Sequence, residues 1–564
     1  MLGKKIPELL KYSDVSLWWY IYPSIFPAIK KTINFIEKFN DLIIDKNPNK
    51  IKLVGEFDKL SLIKQICKQK KIKLDYSKSM HLKFLMYRWL VKKTQKYRFR
   101  KITLEKSRKR IQIFKNKNQT IPILHDKVIF AISTFYRRFV FRPKVGLVRG
   151  EYIQGPIIDM VKNLGFEVVG LDMDYTFKGL HGVLEERLDD DIPWFLVEMV
   201  LEKYCNNIDL SVVLKQYERT INNGEFKKLF NFGGIEYWEQ VENEFLKQTF
   251  LPHLPTYIKL IIGFERFFKE NKPHAVFIPY ETGPLALPII TACKKNNIRT
   301  ISIQHGMTYP YNPDYSHNDI RSEKNPMGMI LPDFNLIFGD YVKKLLCEKG
   351  NYPKDKFIVF GNPEFFNLKE LIKSLDHIDI LSTYGLPNKK IILFTSTKMQ
   401  SYYKSYGKMN YDEQIWRHLL ENFANKNNFY LVLKPHPSEN ISAYEKILNE
   451  LQVSNAKIIQ GELFEMIYTA SVVISIASTT ILDAICLRKP VIRVKFKNVT
   501  SPIPYDEYGV VLSSELDVLS KNIESLVNKK DIQDDLLKNG FQFIKEQYNI
   551  PEEDPQSILE YILK

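Results

Sequence analysis

Leu431-Val432-Leu433-Lys434-Pro435-His436-Pro437 and, about forty residues on, Ser471-Val472-Val473-Ile474-Ser475-Ile476-Ala477-Ser478-Thr479-Thr480 are the stretches on which the reading of this chain turns. Each is a continuous apolar run of strand length that stops abruptly at polar residues. Continuous rather than alternating runs belong to parallel strands buried on both faces. The second run flows into Ile481-Leu482-Asp483-Ala484-Ile485-Cys486-Leu487, a helical pattern, and then into Lys489-Pro490-Val491-Ile492-Arg493-Val494, another strand. Strand, helix and strand in this order predict an α/β unit with a parallel sheet. Such sheets hold their ligands in loops at the carboxyl ends of the strands.

The residues at those two ends suit a phosphate. Ser478, Thr479 and Thr480 stand where a strand stops and a helix starts, with hydroxyls, backbone N–H groups and the helix dipole together. His436 can donate a hydrogen bond to a phosphate or a leaving-group oxygen, Lys434 adds charge, and two prolines fix the turn between them. A structural reading stands beside this one. Thr480-x-x-Asp483 has the spacing of a capping box, and a His-Pro turn can be only a turn.

The His-Pro turn followed by the Ser/Thr pair resembles the nucleotide-binding half of GT-B glycosyltransferases that use cytidine-activated donors. Bacterial polysialyltransferases, capsule Kdo transferases and CDP-glycerol glycerophosphotransferases show this pattern. The resemblance implies that His436, Ser478 and Thr479, with Lys434 and Thr480 beside them, hold the nucleotide and phosphate of a CMP- or CDP-linked donor. It also implies a metal-independent enzyme without a cofactor. UDP-N-acetylglucosamine 2-epimerases share the architecture. They normally carry a Ser-Gly-Gly turn at the second motif, and the glycerophosphotransferases an Asp-Tyr-Ser-Ser run. This chain has Ile476-Ala477-Ser478-Thr479 there, which favours a sugar donor over a polyol phosphate or an epimerase.

The 564 residues exceed what one core accommodates, and 45% hydrophobic with 13% aromatic content describes a folded chain. A net charge of +17 calls for an anionic partner: a nucleotide-sugar, an acidic glycan or a membrane surface. Nucleic acid would match the charge, but no recognition motif accompanies it and both strand-end histidines would go unexplained. The expectation is no nucleic-acid partner. Cys67, Cys205, Cys293, Cys347 and Cys486 have neither zinc-ligand nor redox spacing and read as free thiols of a reducing compartment. With no secretory signal and no apolar run of eighteen residues, the expected location is cytoplasmic, peripheral on the inner face of the cell membrane at most.

Taken in order, the chain predicts two Rossmann-like doubly wound domains facing a cleft, with helical insertions in the first. Residues 1–48 form a helical segment with an aromatic cluster from Leu17 to Tyr22. The acceptor domain takes 49–364. Ile51 to Gly55 and Ile72 to Leu74 read as its first two strands, and 144–148 as a later one. Residues 81–117 interrupt it with a basic stretch. Between Lys83 and Arg110 lie twelve Lys and Arg against the single acid Glu105, interleaved with Phe84, Leu85, Tyr87, Trp89, Leu90, Tyr97 and Phe99. A helix on anionic lipid and a solvated surface helix both satisfy that pattern. Residues 175–270 read as a helical insertion. Asp172-x-Asp174 ends a strand in the manner of a metal site, or caps a loop. The hinge is expected at 365–388, the donor domain at 389–545 and a C-terminal helix at 546–564.

Three strand ends of the first domain supply candidates for the chemistry. Gln304-His305-Gly306 follows Thr300 to Ile303, and a Gln-His-Gly element here resembles the same transferases. His305 is expected to act as general base on an acceptor hydroxyl, because imidazole titrates near neutrality. Glu281 and Glu151, at other strand ends, are carboxylate alternatives, either of them a nucleophile if the mechanism retains configuration. The acceptor is expected to be a growing polysaccharide or a lipid-linked glycan. Residues 307–332 read as a flap over the site.

Overall fold

Runs of three to six residues, nearly all apolar, build two parallel sheets. A computed structural model describes residues 6–13, 15–54, 58–117, 120–133, 137–142, 145–174, 181–205, 207–250, 253–306, 308, 315, 328–397, 410–424, 426–436, 439–497, 499, 501, 503–548 and 555–564. At 80, 84, 88, 91–106, 138–139, 181–182, 250 and 548 only the backbone is described. Most of the expected flap, 307–332, therefore lies outside the described residues.

The first sheet contains β1 (Val128–Ile132), β2 (Val168–Asp172), β3 (Trp194–Leu196), β4 (Ala275–Pro279), β5 (Arg299–Ile303), β6 (Phe334–Ile337) and β7 (Phe357–Val359). Its order is β3-β2-β1-β4-β5-β6-β7, parallel throughout. The second contains β8 (Lys390–Thr395), β9 (Phe429–Lys434), β10 (Ala456–Ile458), β11 (Val472–Ser475), β12 (Val491–Val494) and β13 (Leu512–Ser514), in the order β10-β9-β8-β11-β12-β13. Both begin 3-2-1-4-5, the order of a doubly wound Rossmann-like sheet. The expected fold class is present.

Side-chain alternation explains the continuous apolar runs. Val128, Phe130 and Ile132 pack into one core layer and Ile129 and Ala131 into the opposite one. Ile391 and Leu393 divide in the same way from Ile392 and Phe394. With both faces covered, both parities are mainly apolar, and the buried polar exceptions Ser302 and Asn335 bond each other. The interior of β2 also needs a glycine, since a Cβ on Gly170 would lie 2.4 Å from the Trp194 ring of the neighbouring strand.

Three expectations for the first domain need correction. The strands Lys50–Lys52 and Lys73–Asp75 are parallel and joined by a helix, but they pair only with each other. Two of the three residues in each are charged, and such strands cannot be buried on both faces. Residues 144–148 fall in Gly146–Glu151, which pairs antiparallel with Arg137–Arg142 in a separate hairpin. Arginines along both strands exclude it from the buried sheet for the same reason. The stretch 175–270 is mainly helical but contributes β3, whose Trp194, Phe195 and Leu196 are buried against β2.

The helix α1 (Trp18–Lys46) starts well before its periodic stretch and contains Pro23 and Pro27. Its aromatic end is buried in the first domain. Trp18 stacks on Phe245 at 5.9 Å, and Tyr20 Oη lies 2.8 Å from Thr291 Oγ1. After α1 come α2 (Leu60–Gln69) and the long basic α3 (Lys78–Asn116). In the second sheet α4 (Thr480–Cys486) follows β11. Two closing helices, α5 (Lys530–Tyr548) and α6 (Gln556–Leu563), tie the halves together. A Cβ on Gly339, just after β6, would lie 2.5 Å from the Glu546 carbonyl oxygen, so α5 rests directly on backbone of the first half. Leu559, Ile562 and Leu563 of α6 sit in a core layer of the first sheet, and His274 Nε2 lies 2.6 Å from the Leu563 carbonyl. The chain's end thus returns to the domain where it began. No helix among the described residues is long and apolar enough to cross a membrane.

Candidate active site

The strand order of the second sheet reverses between β8 and β11, and the polar residues found from the sequence gather there. β8 runs out into Ser396 and Thr397, its neighbour β9 into Lys434 and His436, and β11 into Ser478 and Thr479. Ser396 joins two of these ends, because its hydroxyl accepts from the His436 backbone N–H at 2.9 Å and donates to Glu439. Glu439 also accepts from the His436 N–H at 3.2 Å and from Tyr444 Oη at 3.3 Å. The His436 backbone is thereby fixed while its side chain stays exposed. Burial lowers the Lys434 ammonium from its ordinary value, offset in part by Glu462.

The serine and threonines after β11 divide by role. Thr480 is buried, and its hydroxyl and backbone N–H both lie near Ser478 Oγ, at 2.9 and 3.2 Å. Its hydroxyl faces inward and shapes the turn. Thr479, exposed, is the N-cap of α4 and makes no side-chain cap bond; Thr480 lies within the helix and the Asp483 N–H donates to the Thr479 carbonyl, so Thr480 does not cap through the Asp483 N–H. With α4 only seven residues long, hydroxyls and backbone N–H groups carry more of any anion binding here than the helix dipole.

The first sheet reverses between β1 and β4, and β4 and β5 are neighbours whose ends emerge side by side. Glu281 follows β4 and is buried; His305 follows β5. Between strand and carboxylate, Tyr280 takes the left-handed conformation at φ +56, a costly backbone state for an aromatic residue. Its ring lies 4.5 Å from the His305 ring. The Gln-His-Gly turn is braced from within. Gln304 Nε2 donates to the Gly306 carbonyl at 2.7 Å, and Gln304 Oε1 accepts from the Phe338 N–H at 2.7 Å. Tyr152 Oη donates to the His305 carbonyl at 3.4 Å, and Tyr315 Oη lies 3.5 Å from Nδ1. A Cβ on Gly306 would meet nothing within 4 Å, so there is open space beside the turn. Burial pushes the His305 imidazole down to about 4, and the ring is neutral at physiological pH.

Glu151 stands in a different setting. It is buried, accepting from Arg187 Nε at 3.0 Å with Arg137 Nη1 at 3.5 Å. Arg187 also binds Asp172 at 2.8 Å and Asp174 at 3.1 Å, while Arg110 binds Asp172 at 2.5 Å and Glu198 at 2.6 Å. Burial alone would raise the Asp172 carboxyl, but Arg110 and Arg187 outweigh it and hold it below its usual range. Asp172 and Asp174 are therefore engaged by guanidinium groups. Arg110, counted above within the basic stretch, is buried and pins the end of α3 to the carboxyl end of β2.

Sequence reading did not single out Glu439 or the bridging role of Ser396. A signal was present, since Glu439 lies three residues after His436, the spacing at which a carboxylate returns to the first N–H of a turn.

No protein-family model matches the chain. An uncharacterized protein of Methanocaldococcus jannaschii is 31% identical over 194 residues, covering 34% of this chain and 30% of its own length. The match thus spans under a third of that relative. Among solved structures, the chain is similar to the UDP-GlcNAc 2-epimerase of Neisseria meningitidis bound to UDP-GlcNAc, with 15% identity, a TM-score of 0.48 and coverage of 78% of this chain and 99% of the other. For a glycosyltransferase of Rickettsia africae the values are 13%, 0.45, 78% and 99%. For the wall teichoic acid polymerase TagF they are 12%, 0.44, 85% and 96%. The fold assignment rests on the strand order of the two sheets rather than on these likenesses.

Proposed function

We propose that the chain is a GT-B glycosyltransferase that moves a sugar from a CMP- or CDP-linked donor to a growing polysaccharide or lipid-linked glycan. The observation that carries this reading is the pair of strand-end sites. Ser396, Lys434, His436, Ser478 and Thr479 gather where the second sheet reverses, and His305 with Glu281 stands beside the matching point of the first. In this reading 49–364 binds acceptor, 389–545 binds donor, 365–388 is the hinge, and both sites open on one cleft.

His305 takes the proton of the acceptor hydroxyl as its oxygen attacks the anomeric carbon. For Nε2 to accept that proton, Nδ1 must carry the ring hydrogen and point it at Tyr315 Oη, 3.5 Å away. The bond from sugar to phosphate breaks, and Lys434, His436, Ser478 and Thr479 stabilise the negative charge developing on the leaving phosphate oxygen. The rest of the rate enhancement comes from positioning. Glu281 is the carboxylate alternative. Glu151, already engaged by Arg187 and Arg137, is better suited to holding the site's shape.

An assay with labelled CMP-, CDP- and UDP-linked sugars tests this directly. A transferase releases nucleotide only when acceptor is added, and the label moves to the acceptor. Labelled CDP-glycerol, run alongside, tests the other cargo: transfer of its glycerol phosphate to the acceptor with release of CMP, and none from the sugar donors, would replace the sugar with a teichoic-acid-like cargo. Conversion of UDP-N-acetylglucosamine to its C2 epimer without any acceptor would make the chain an epimerase and overturn the transferase reading.

A further inference from the structure

The active-site reading leaves the first half of α3 without a role, although it carries the most unusual surface among the described residues. Leu82, Leu85, Met86 and Trp89 are spaced i, i+3, i+4 and i+7, so they share one face of the helix. They are 62%, 40%, 67% and 57% exposed, and Tyr87 and Leu90 beside them are 66% and 52% exposed. Isolated exposed apolar residues are ordinary; six within nine positions form a patch that marks an interaction surface. Trp89 stands out further. The other five tryptophans, Trp18, Trp19, Trp194, Trp238 and Trp416, are each at most 8% exposed.

Charge identifies the partner. The same helix carries twelve Lys and Arg between 83 and 110; of those whose side chains are described, Lys83, Arg108 and Lys109 are exposed and Arg110 is buried. A groove of about 490 Å³ in the first half of the chain is lined by Lys30, Lys31 and Lys38 of α1, by Lys59 and by Phe35, with no carboxylate among the described lining residues. Lys59 Nζ lies 4.4 Å over the Phe35 ring. Lys59 leads into α2, which packs against both α1 and the short strand that precedes α3. One helix thus combines an exposed Trp- and Leu-bearing stripe with a dense run of positive charge. Water-soluble protein partners match one of these features or the other; the interface of an anionic bilayer matches both, through aromatic insertion and phosphate attraction.

We infer that residues 78–109 of α3 dock this chain on an anionic membrane surface. The stripe enters the headgroup region, the lysines and arginines bind lipid phosphates, and the buried Arg110–Asp172–Glu198 contacts transmit the orientation to the first sheet. This does not depend on the transferase reading, because it needs no turnover.

Sedimentation with vesicles of 30% phosphatidylserine in phosphatidylcholine, against pure phosphatidylcholine, reads it out. Binding should be at least tenfold stronger to the anionic vesicles and lost in 1 M salt, where the Debye length falls to about 3 Å. Trp89 being the exposed tryptophan, anionic vesicles should shift the emission to the blue, and a Trp89→Gln variant should not show the shift. Met86→Gln with Trp89→Gln, and separately Lys92, Lys93, Arg98, Arg100 and Lys101 all changed to Gln, should each cut binding at least tenfold with an unchanged melting temperature. Equal binding to both vesicle types, or by the wild type and both variants, would overturn the inference. So would a wild type that ignores vesicles but forms a Trp89-dependent dimer, or one that binds random duplex DNA instead.

Discussion

Replacing His305 with alanine is expected to lower transfer a hundredfold to ten-thousandfold while leaving nucleotide binding nearly unchanged. General-base catalysis contributes on that scale, and the imidazole lies at the end of β5, in the other sheet from Ser396, His436 and Ser478. His305→Gln keeps most of the volume and a hydrogen-bonding group, and it should be as inactive as alanine if the lost function is proton transfer. The pH profile adds a second constraint. Since burial holds the ring's pKa near 4, it stays neutral and able to accept a proton well below 6.5, and the acid limb of kcat/KM should fall near 4. The unfolded chain binds a proton to this residue from about pH 6.5 downward. Stability from the neutral ring is therefore complete above 6.5 and is lost as the pH falls towards 4. Unchanged turnover in both variants would transfer the catalytic role to Glu281, testable with Glu281→Gln.

Arg187→Ala should be the most destabilising single substitution in the first domain. The guanidinium is fully buried and serves Glu151, Asp172 and Asp174 together. Burial alone would lower its pKa, but these three carboxylates raise it above its ordinary value. Without it they remain as poorly compensated buried charges, for which removal of one partner costs about 3–5 kcal/mol. Chemical denaturation should show that loss at pH 7, and a smaller one at pH 5 as carboxylates take up protons. Arg187→Lys keeps the charge but not the planar fork, and should fall between wild type and alanine. A variant as stable as the wild type would mean that the cluster is not a structural support. Glu151 would then return as a candidate for the chemistry.

The two sheets were legible because burial on both faces leaves a mark in the sequence. Val128-Ile129-Phe130-Ala131-Ile132 and Ile391-Ile392-Leu393-Phe394 cannot be surface strands. Lys50–Lys52 and Gly146–Glu151 lack that mark, and both lie outside the two large sheets. A charged residue enters a parallel sheet only with a partner, as buried Arg493 of β12 does with Asp506; Lys50, Lys52 and Lys73 are exposed instead. The start of α1 was hidden for another reason. Pro23 and Pro27 interrupt the helical signal, yet the helix runs across them, with Trp18, Trp19, Tyr20 and Ile21 buried. At the site, strand-end residues could be found from where apolar runs stop. Which of them face inward could not, because that depends on contacts far apart in sequence. Glu439 tying His436 to Ser396 and Glu151 engaged by Arg187 belong to that class.

The account stands most directly on nucleotide binding at the second sheet, which thermal melting with CMP, CDP, UDP and GDP measures. A ligand held only by the folded state stabilises it by about 2.7 kcal/mol at a hundred times its Kd. CMP or CDP is expected to raise the melting temperature, and His436→Ala combined with Ser478→Ala to remove most of the rise while His305→Ala keeps it. A response to UDP alone would change the base that is recognised and leave the site in place. No response to any of the four nucleotides, or a response that the His436 and Ser478 changes leave untouched, would contradict a donor site at these strand ends.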